Sequence, residues 1–527
     1  MSPEDFPMSP KPAATTDAHQ RVLVVGGGVG GLSAAIYLAA AGRSVLLLEK
    51  NDRIGGKLNR WTADTPAGTF EFDTGPSLLT MPFVFERLFQ AAGRDMADYL
   101  TLRPLAPISR FVWPDGDRLE LFADPQQTEA SIAALAPADV EGWQKFMVYG
   151  KHVWDLAGEM FLMQAPEQII AGKPNAKQGL GLLTTPFRIG MFRRFSSVVN
   201  KFVKHPKLRA VLYQYATYSG ASPFRAPATL ACIPYVEQHF GGWHIEGGMY
   251  SLAEALAKLA GELGVEIRTN APARAILTDT GRVAGVELAG GERLTSDTVI
   301  ANSDVVYTYR DLLEPADRPK WPTDKLDALE PGGSGMILLL GTRRKYEQLA
   351  HHTKFMPLDY AADLEAMFET QTIPNEPCVY VCSTSVTEPG LAPAGCENIF
   401  ILVSAPPLHD RGKAIDWQGD AAGYRDRVID LLEHKFGLSD LSASILCESQ
   451  WTPATLRDRY NANAGSIYGI GSNSRWQAFL RPPNRDPKLK GLFFAGGATH
   501  PGGGLPLVAL SGKIAAELVM MNKEPSP

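Results

Sequence analysis

The chain has 527 residues, 45% hydrophobic and 20% charged, enough to bury a large core in two linked domains. Its net charge of −6 speaks against general nucleic-acid binding. Five cysteines (Cys232, Cys378, Cys382, Cys396 and Cys447) form no C-x-x-C pair, which speaks against a disulfide framework or a zinc site and suits a reducing compartment.

Residues 1–20 lack a basic stretch followed by an apolar one, so they read as a disordered tail and not as a secretory signal. No uninterrupted apolar run reaches the ~18 residues of a membrane span, which predicts a soluble or peripheral protein. Residues 21–57 read as a complete β-turn-α-β nucleotide-binding unit. Arg21–Val25 is a short β-branched run, the length of a buried parallel strand. Gly26, Gly28 and Gly31 then supply G-x-G-x-x-G, with Gly30 inside it: a tight turn, close backbone approach to a pyrophosphate, and close helix–strand packing. The spacing predicts a helix over Gly30–Ala41, stopped by Gly42, with its positive end towards the phosphates. Ser44–Leu48 is the second strand, and Glu49 at its end stands where an acid would hold a ribose hydroxyl.

Further on, Thr69–Ser77 reads as a strand leading into a turn, Phe83–Ala92 as a helix, Phe111–Phe122 as a hairpin around Asp115-Gly116, and Ala138–Met163 as helical. Residues 168–236 hold ten Lys or Arg and no Asp or Glu, interleaved with apolar residues such as Leu180, Phe187, Phe192, Phe195, Val199 and Phe202. Such a mixture suits contact with anionic lipid, and equally suits helices with a solvated basic face. Met249–Leu263 has helical spacing. Val265–Asn270, Ala273–Leu277, Val283–Leu288 and Thr298–Ala301 follow as short strands, read together as a meander. Gly332–Gly341, Val379–Ser385 and Ile399–Ser404 read as strands of a second sheet, and Arg425–Phe436 as a helix. Near the end, the strand Leu492–Ala495 enters a glycine-rich loop, with Gly496, Gly497, Gly504, Leu505 and Pro506, before a helix over Leu507–Met520. There is no nucleophile elbow, no H-E-x-x-H and no metal-spaced cluster, so no metal is expected.

Specific resemblances follow from these segments. Glu49 to Lys57, E-K-N-D-R-I-G-G-K, resembles the E-x-x-x-R-x-G-G-[RK] extension of the amine-oxidase-like FAD flavoproteins. On that resemblance Gly55 and Gly56 turn the backbone against FAD, Arg53 and Lys57 offer it positive charge, and Lys50 is a further cofactor-binding position. The turn at Gly75, Pro76 and Ser77 would approach the flavin ring. Together with FDTGPS, ANSDVVYTYRDLL, TPATLRDRYNANAGSIYG and GLFFAGGATHPGGGLPLVALSGKIAA, residues 21 to about 520 resemble the bacterial phytoene-desaturase family of carotenoid oxidoreductases.

The resemblance implies an α/β fold. It has a Rossmann-like, two-part FAD-binding domain, a mixed α+β substrate domain and a helical, membrane-facing segment. The implied division is 21–115, 236–330 and 451–527 for the FAD-binding parts, 116–235 for the substrate- and membrane-facing part, and 331–450 for the substrate sheet. It implies a flavoenzyme that introduces C=C bonds into a lipophilic polyene by hydride transfer to flavin N5. The expected location is peripheral, on anionic lipid at the cytoplasmic face of the cell membrane, with 168–236 as the contact and no nucleic-acid partner. His500, in the terminal loop, is the one candidate catalytic side chain. The family typically ends in a G-A-G-T-H-P-G-A-G-I-P-G-like run. Here Gly496 to Leu507 read G-G-A-T-H-P-G-G-G-L-P-L, nearer the branch acting on later carotenoids, including hydroxy- and methoxy-carotenoid 3,4-desaturases. Substrate, number of steps, electron acceptor and oligomeric state stay open. A carotenoid isomerase, a retinol-saturase-like enzyme and a flavin amine oxidase are the alternatives.

Overall fold

A computed structural model describes residues 21–165, 168, 184–408, 415–473, 477–478 and 481–521; the expected tail at 1–20 and the basic positions Lys173 and Lys177 lie outside them. Two sheets organise these residues. The first has five parallel strands in the order Leu492–Phe494, Val299–Ala301, Val22–Val25, Val45–Leu48, Glu266–Arg268. Its central strands are wholly buried, as expected for apolar strands covered on both faces. One face carries the helices Val29–Ala40, Tyr250–Glu262 and Leu505–Met521 in a single apolar core. The other carries a three-stranded meander, Ala273–Asp279, Arg282–Leu288 and Arg293–Thr295.

The expected meander is therefore corrected. The strands at 266–268 and 299–301 belong to the parallel sheet, and Arg293–Thr295 completes the meander in their place. Short apolar strands look alike in sequence; long-range pairing decides which sheet takes them.

The second sheet has seven strands, ordered Ile445–Trp451, Ser334–Thr342, Glu397–Ala405, Val379–Cys382, His352–Phe355, Ser109–Val112, Arg118–Leu121. It is antiparallel except where His352–Phe355 pairs with Ser109–Val112. A domain boundary at 115/116 would cut the turn of a hairpin whose two strands both lie in this sheet. Helices Val140–Val153, Phe195–Phe202, Pro206–Thr217 and Cys232–Phe240 form the layer beside it, sharing a core with Phe111, Trp113, Met356 and Phe368. Among the described residues no helix is long and apolar enough to cross a membrane.

The two halves of the chain are locked where the helices Val29–Ala40 and Leu505–Met521 cross. A Cβ on Gly512 would stand 2.2 Å from the Gly30 carbonyl oxygen, so the backbones touch directly. Ser33 Oγ adds a 2.7 Å bond to the Ala509 carbonyl across the same crossing.

Candidate active site

At the carboxyl ends of the parallel strands the glycine turns converge. Gly26 has φ +106°, accessible at little cost only to glycine. A Cβ on Gly31 would meet the Gly26 carbonyl oxygen at 2.1 Å, so the third glycine allows the turn to fold onto the helix start. The Glu49–Lys57 extension folds back on this turn: Gly55 N–H donates to the Gly27 carbonyl at 2.8 Å, and Gly55 and Gly56 both have positive φ. Glu49 is buried, and its carboxylate accepts from Gly27 N–H (2.8 Å), Asn51 N–H (2.9 Å) and the Asn51 amide (2.8 Å). Asn302, at the end of the neighbouring strand, donates its amide to the Gly26 carbonyl at 3.2 Å.

A cavity of about 550 Å³ opens from this cradle towards the seven-stranded sheet. Of the sequence-derived positions, Gly26, Gly28, Glu49, Lys50, Gly55, Gly56, Lys57, Gly75, Pro76, Ser77, Gly496, Gly497, Gly504, Leu505 and Pro506 line it. Gly504, at φ +109°, has nothing within 4 Å of where a Cβ would stand. Its bare backbone faces open space, as a cradle for a large cofactor requires.

Gly30 and Gly31 lie one layer back and serve packing; a Cβ on Gly30 would meet Asn302 Oδ1 at 2.5 Å. The charged positions differ from expectation. The Lys57 ammonium donates to the Ser466 (2.9 Å) and Ile467 (2.7 Å) carbonyls, and burial lowers its pKa to about 8. Lys50 donates to the Asp458 carbonyl and to Asn461 Oδ1. Both therefore pin the 458–467 segment to the cradle. Arg53 does not reach the cavity; its half-exposed side chain lies 3.9 Å from Asp52.

His500 is placed otherwise than a catalytic side chain requires. It is 4% exposed, outside the cavity lining, with Nε2 3.1 Å from the Gln164 carbonyl and its ring edge-on to Phe161. A carbonyl partner makes Nε2 the protonated nitrogen of the ring, and burial lowers the imidazole pKa to about 4. It ties the terminal loop to residues 161–164. Arg481, its pKa lowered to about 10 by desolvation, joins the same loop to the segment at 470 through the Gly497 and Ile470 carbonyls.

The remaining wall was not visible in local motifs. Ile337, Phe400, Leu402, Val403, Met367 and Ile467 supply apolar surface. Lys354 is buried in the wall, 4.8 Å from the Phe111 ring and 5.3 Å from Tyr218, and donates to the Tyr218 hydroxyl at 3.0 Å. Burial lowers its pKa, opposed by Glu237, which accepts a 2.5 Å bond from Tyr215 and a 3.4 Å bond from Tyr218. On the opposite strand the Tyr380 hydroxyl lies 2.5 Å from Ser77 Oγ and 2.8 Å from His352 Nδ1. Asp363, beneath this wall, accepts from Cys378 N–H at 2.9 Å. Its other oxygen is buried without a partner, and burial raises its pKa to about 7.

A split dinucleotide cradle opening into an apolar, aromatic-walled cavity defines a flavin-dependent oxidoreductase. The chain belongs to the flavin containing amine oxidoreductase family, which matches residues 29–520, and FAD is its cofactor. It is 38% identical over 502 residues to 4,4'-diapolycopene oxygenase of Methylomonas sp, covering 95% of this chain and 98% of that protein. It is 35% identical over 507 residues to 4,4'-diaponeurosporene oxygenase of Staphylococcus aureus, again covering 95% and 98%. Among solved structures, a variant of putrescine oxidase superposes with a TM-score of 0.63 at 14% identity, covering 96% of this chain and 99% of that one. The expected α/β fold, a Rossmann-like FAD-binding domain with a mixed α+β substrate domain, is thereby established.

Proposed function

We propose that this protein oxidises one end of an acyclic carotenoid. The observation that carries this reading is the cavity itself: apolar side chains line its wall, with one buried ammonium held among aromatic rings. The similarity to two carotenoid oxygenases over nearly the whole chain supports the same substrate class. A small polar amine would find little to bind along Ile337, Phe400, Leu402 and Val403.

FAD supplies the two-electron acceptor when bound. The chain's own residues position and exclude water. Lys57 and Lys50 hold the 458–467 segment closed over the cradle. The apolar wall positions the polyene and keeps water from the reacting end, while conjugation along the polyene itself delocalises the charge left by hydride loss from an allylic position. Lys354, whose ammonium donates one N–H to Tyr218, presents further donors where an oxygenated chain end can be recognised. Conversion of a terminal methyl to an aldehyde balances with dioxygen alone, R–CH3 + O2 giving R–CHO + H2O. Desaturation near the chain end is the second reading, favoured by the phytoene-desaturase-like segments at 301–313, 452–469 and 491–516.

Expression in a bacterial host that accumulates acyclic carotenoids separates these readings by mass. One oxygen gained for two hydrogens lost supports terminal oxidation. Loss of two hydrogens alone assigns desaturation, and an unchanged mass contradicts both.

Access from a lipid surface belongs to the same proposal. Part of the basic segment folds inward: Ile189, Phe195, Val198, Val199 and Val203 are core, Lys207 pairs with Asp115 and Asp117, and Arg225 pairs with Glu330. Phe187 (73% exposed) and Phe192 (51% exposed) meet at the surface, their rings tilted by 41°, near exposed Arg188, Arg193, Arg194 and Lys201. That pairing of aromatic and basic side chains suits anionic headgroups. Replacing both phenylalanines with serine is expected to abolish co-sedimentation with anionic liposomes; unchanged binding would reject this surface.

A further inference from the structure

His352 lines the cavity beside Tyr380; His351 and Cys382, next to it and outside the cradle, have no part in the reading above. A ring nitrogen from each histidine and the cysteine Sγ lie within 4.8 Å of one another, and all three residues are buried. Strand register creates the meeting: His352 and Cys382 are direct cross-strand partners in the antiparallel pair His352–Phe355 and Val379–Cys382. His351 immediately precedes the strand, its ring 4.5 Å from that of His352.

The hydrogen bonding of the two rings points to a ligand. His351 Nδ1 bonds the Thr387 hydroxyl at 2.7 Å, and His352 Nδ1 bonds the Tyr380 hydroxyl at 2.8 Å. Each ring is thus held in orientation through one nitrogen, while both Nε2 atoms are buried with no hydrogen-bond partner. Two orphaned imidazole nitrogens beside a thiol are costly unless something occupies the space between them. An oriented imidazole whose other nitrogen is anchored is how proteins present histidine to a metal. A third ring, His244, stands 5.0 Å from His351; its Nε2 bonds Glu388 at 2.8 Å and its buried Nδ1 is again without a partner.

We propose that His351 Nε2, His352 Nε2 and Cys382 Sγ form a zinc site in the wall of the cavity. Two imidazoles and a thiolate are a borderline-soft donor set that suits zinc, and the three side chains would draw together on binding to reach Zn–N near ~2.0 Å and Zn–S near ~2.3 Å. Binding releases the thiol proton of Cys382 to solvent; no electron is transferred. The ion would tie the strand Val379–Cys382 to the loop before His352, and so fix Tyr380 against Ser77 at the cavity. No sequence spacing signals this site, because Cys382 reaches the histidines through strand pairing alone.

The test uses the FAD-loaded full-length protein, purified from zinc-supplemented medium and dialysed without chelator. Elemental analysis is expected to find close to one zinc per chain, falling at least tenfold in Cys382→Ser and His351→Gln with flavin content retained. Cobalt(II) added to the chelator-stripped wild-type protein should give a thiolate-to-cobalt charge-transfer band, a reading that does not depend on any variant folding. Zinc below a tenth of an equivalent together with no cobalt band would overturn the proposal, as would zinc content unchanged in both variants, or stoichiometric copper with zinc excluded.

Discussion

The Asp363 carboxyl sits in the wall with one oxygen unpartnered and a pKa raised by burial to about 7, against an ordinary 3.8. Between these values the folded protein holds a proton that the unfolded chain has released. Its stabilising contribution is therefore complete below the unfolded pKa and is lost as pH rises through about 7, with a slope of up to ~1.4 kcal/mol per pH unit. Asp363→Asn is expected to flatten this part of the stability–pH curve, measured by urea unfolding at a series of pH values. A second residue-scale prediction concerns His500. Because its ring serves the Gln164 carbonyl, His500→Phe is expected to cost ~1–2 kcal/mol of stability while leaving product turnover largely intact. A thousandfold loss of turnover in a folded, flavin-loaded variant would restore a catalytic role. Lys57→Met removes the ammonium that holds two carbonyls at the edge of the cradle, and about tenfold weaker FAD retention is expected in equilibrium dialysis.

The helix crossing at Gly30 and Gly512 is where the two ends of the chain become one cofactor domain. Gly512→Leu would drive a side chain into the Gly30 carbonyl and the Ala34 amide, and a loss of ~3 kcal/mol or more is expected, read as a lower melting temperature with loss of bound flavin. At this scale the sequence was most informative where structure is local. The strand, glycine turn and helix over 22–40 lie within a residue of their expected bounds, and the hairpin around Asp115-Gly116 within two. It was least informative where partners are distant. Val265–Asn270 and Thr298–Ala301 read like meander strands but pair with the parallel sheet. Likewise a glycine can be assigned from backbone need, whereas the direction taken by His500 depends on a carbonyl hundreds of residues away. Lys354, Tyr218 and Tyr380 carry no motif at all; the register of the seven-stranded sheet pairs Lys354 with Tyr380, and the end of the helix Pro206–Thr217 brings Tyr218 beside them.

For the whole molecule, a cofactor cradle built from both ends of the chain closes one side of a cavity, and a sheet and helical layer from the middle close the other. That division explains why the terminal motifs reveal the cofactor while the substrate is written in the middle. The exposed aromatic–basic surface around Phe187 and Phe192 lies in the same middle portion. The central claim is that FAD bound in this cradle oxidises an acyclic carotenoid in this cavity. The most direct measurement is mass analysis of carotenoid recovered from aerated liposomes after incubation with FAD-loaded protein, beside a flavin-free control. The account predicts an oxidised carotenoid formed only with the FAD-loaded protein; carotenoid of unchanged mass in both would contradict it.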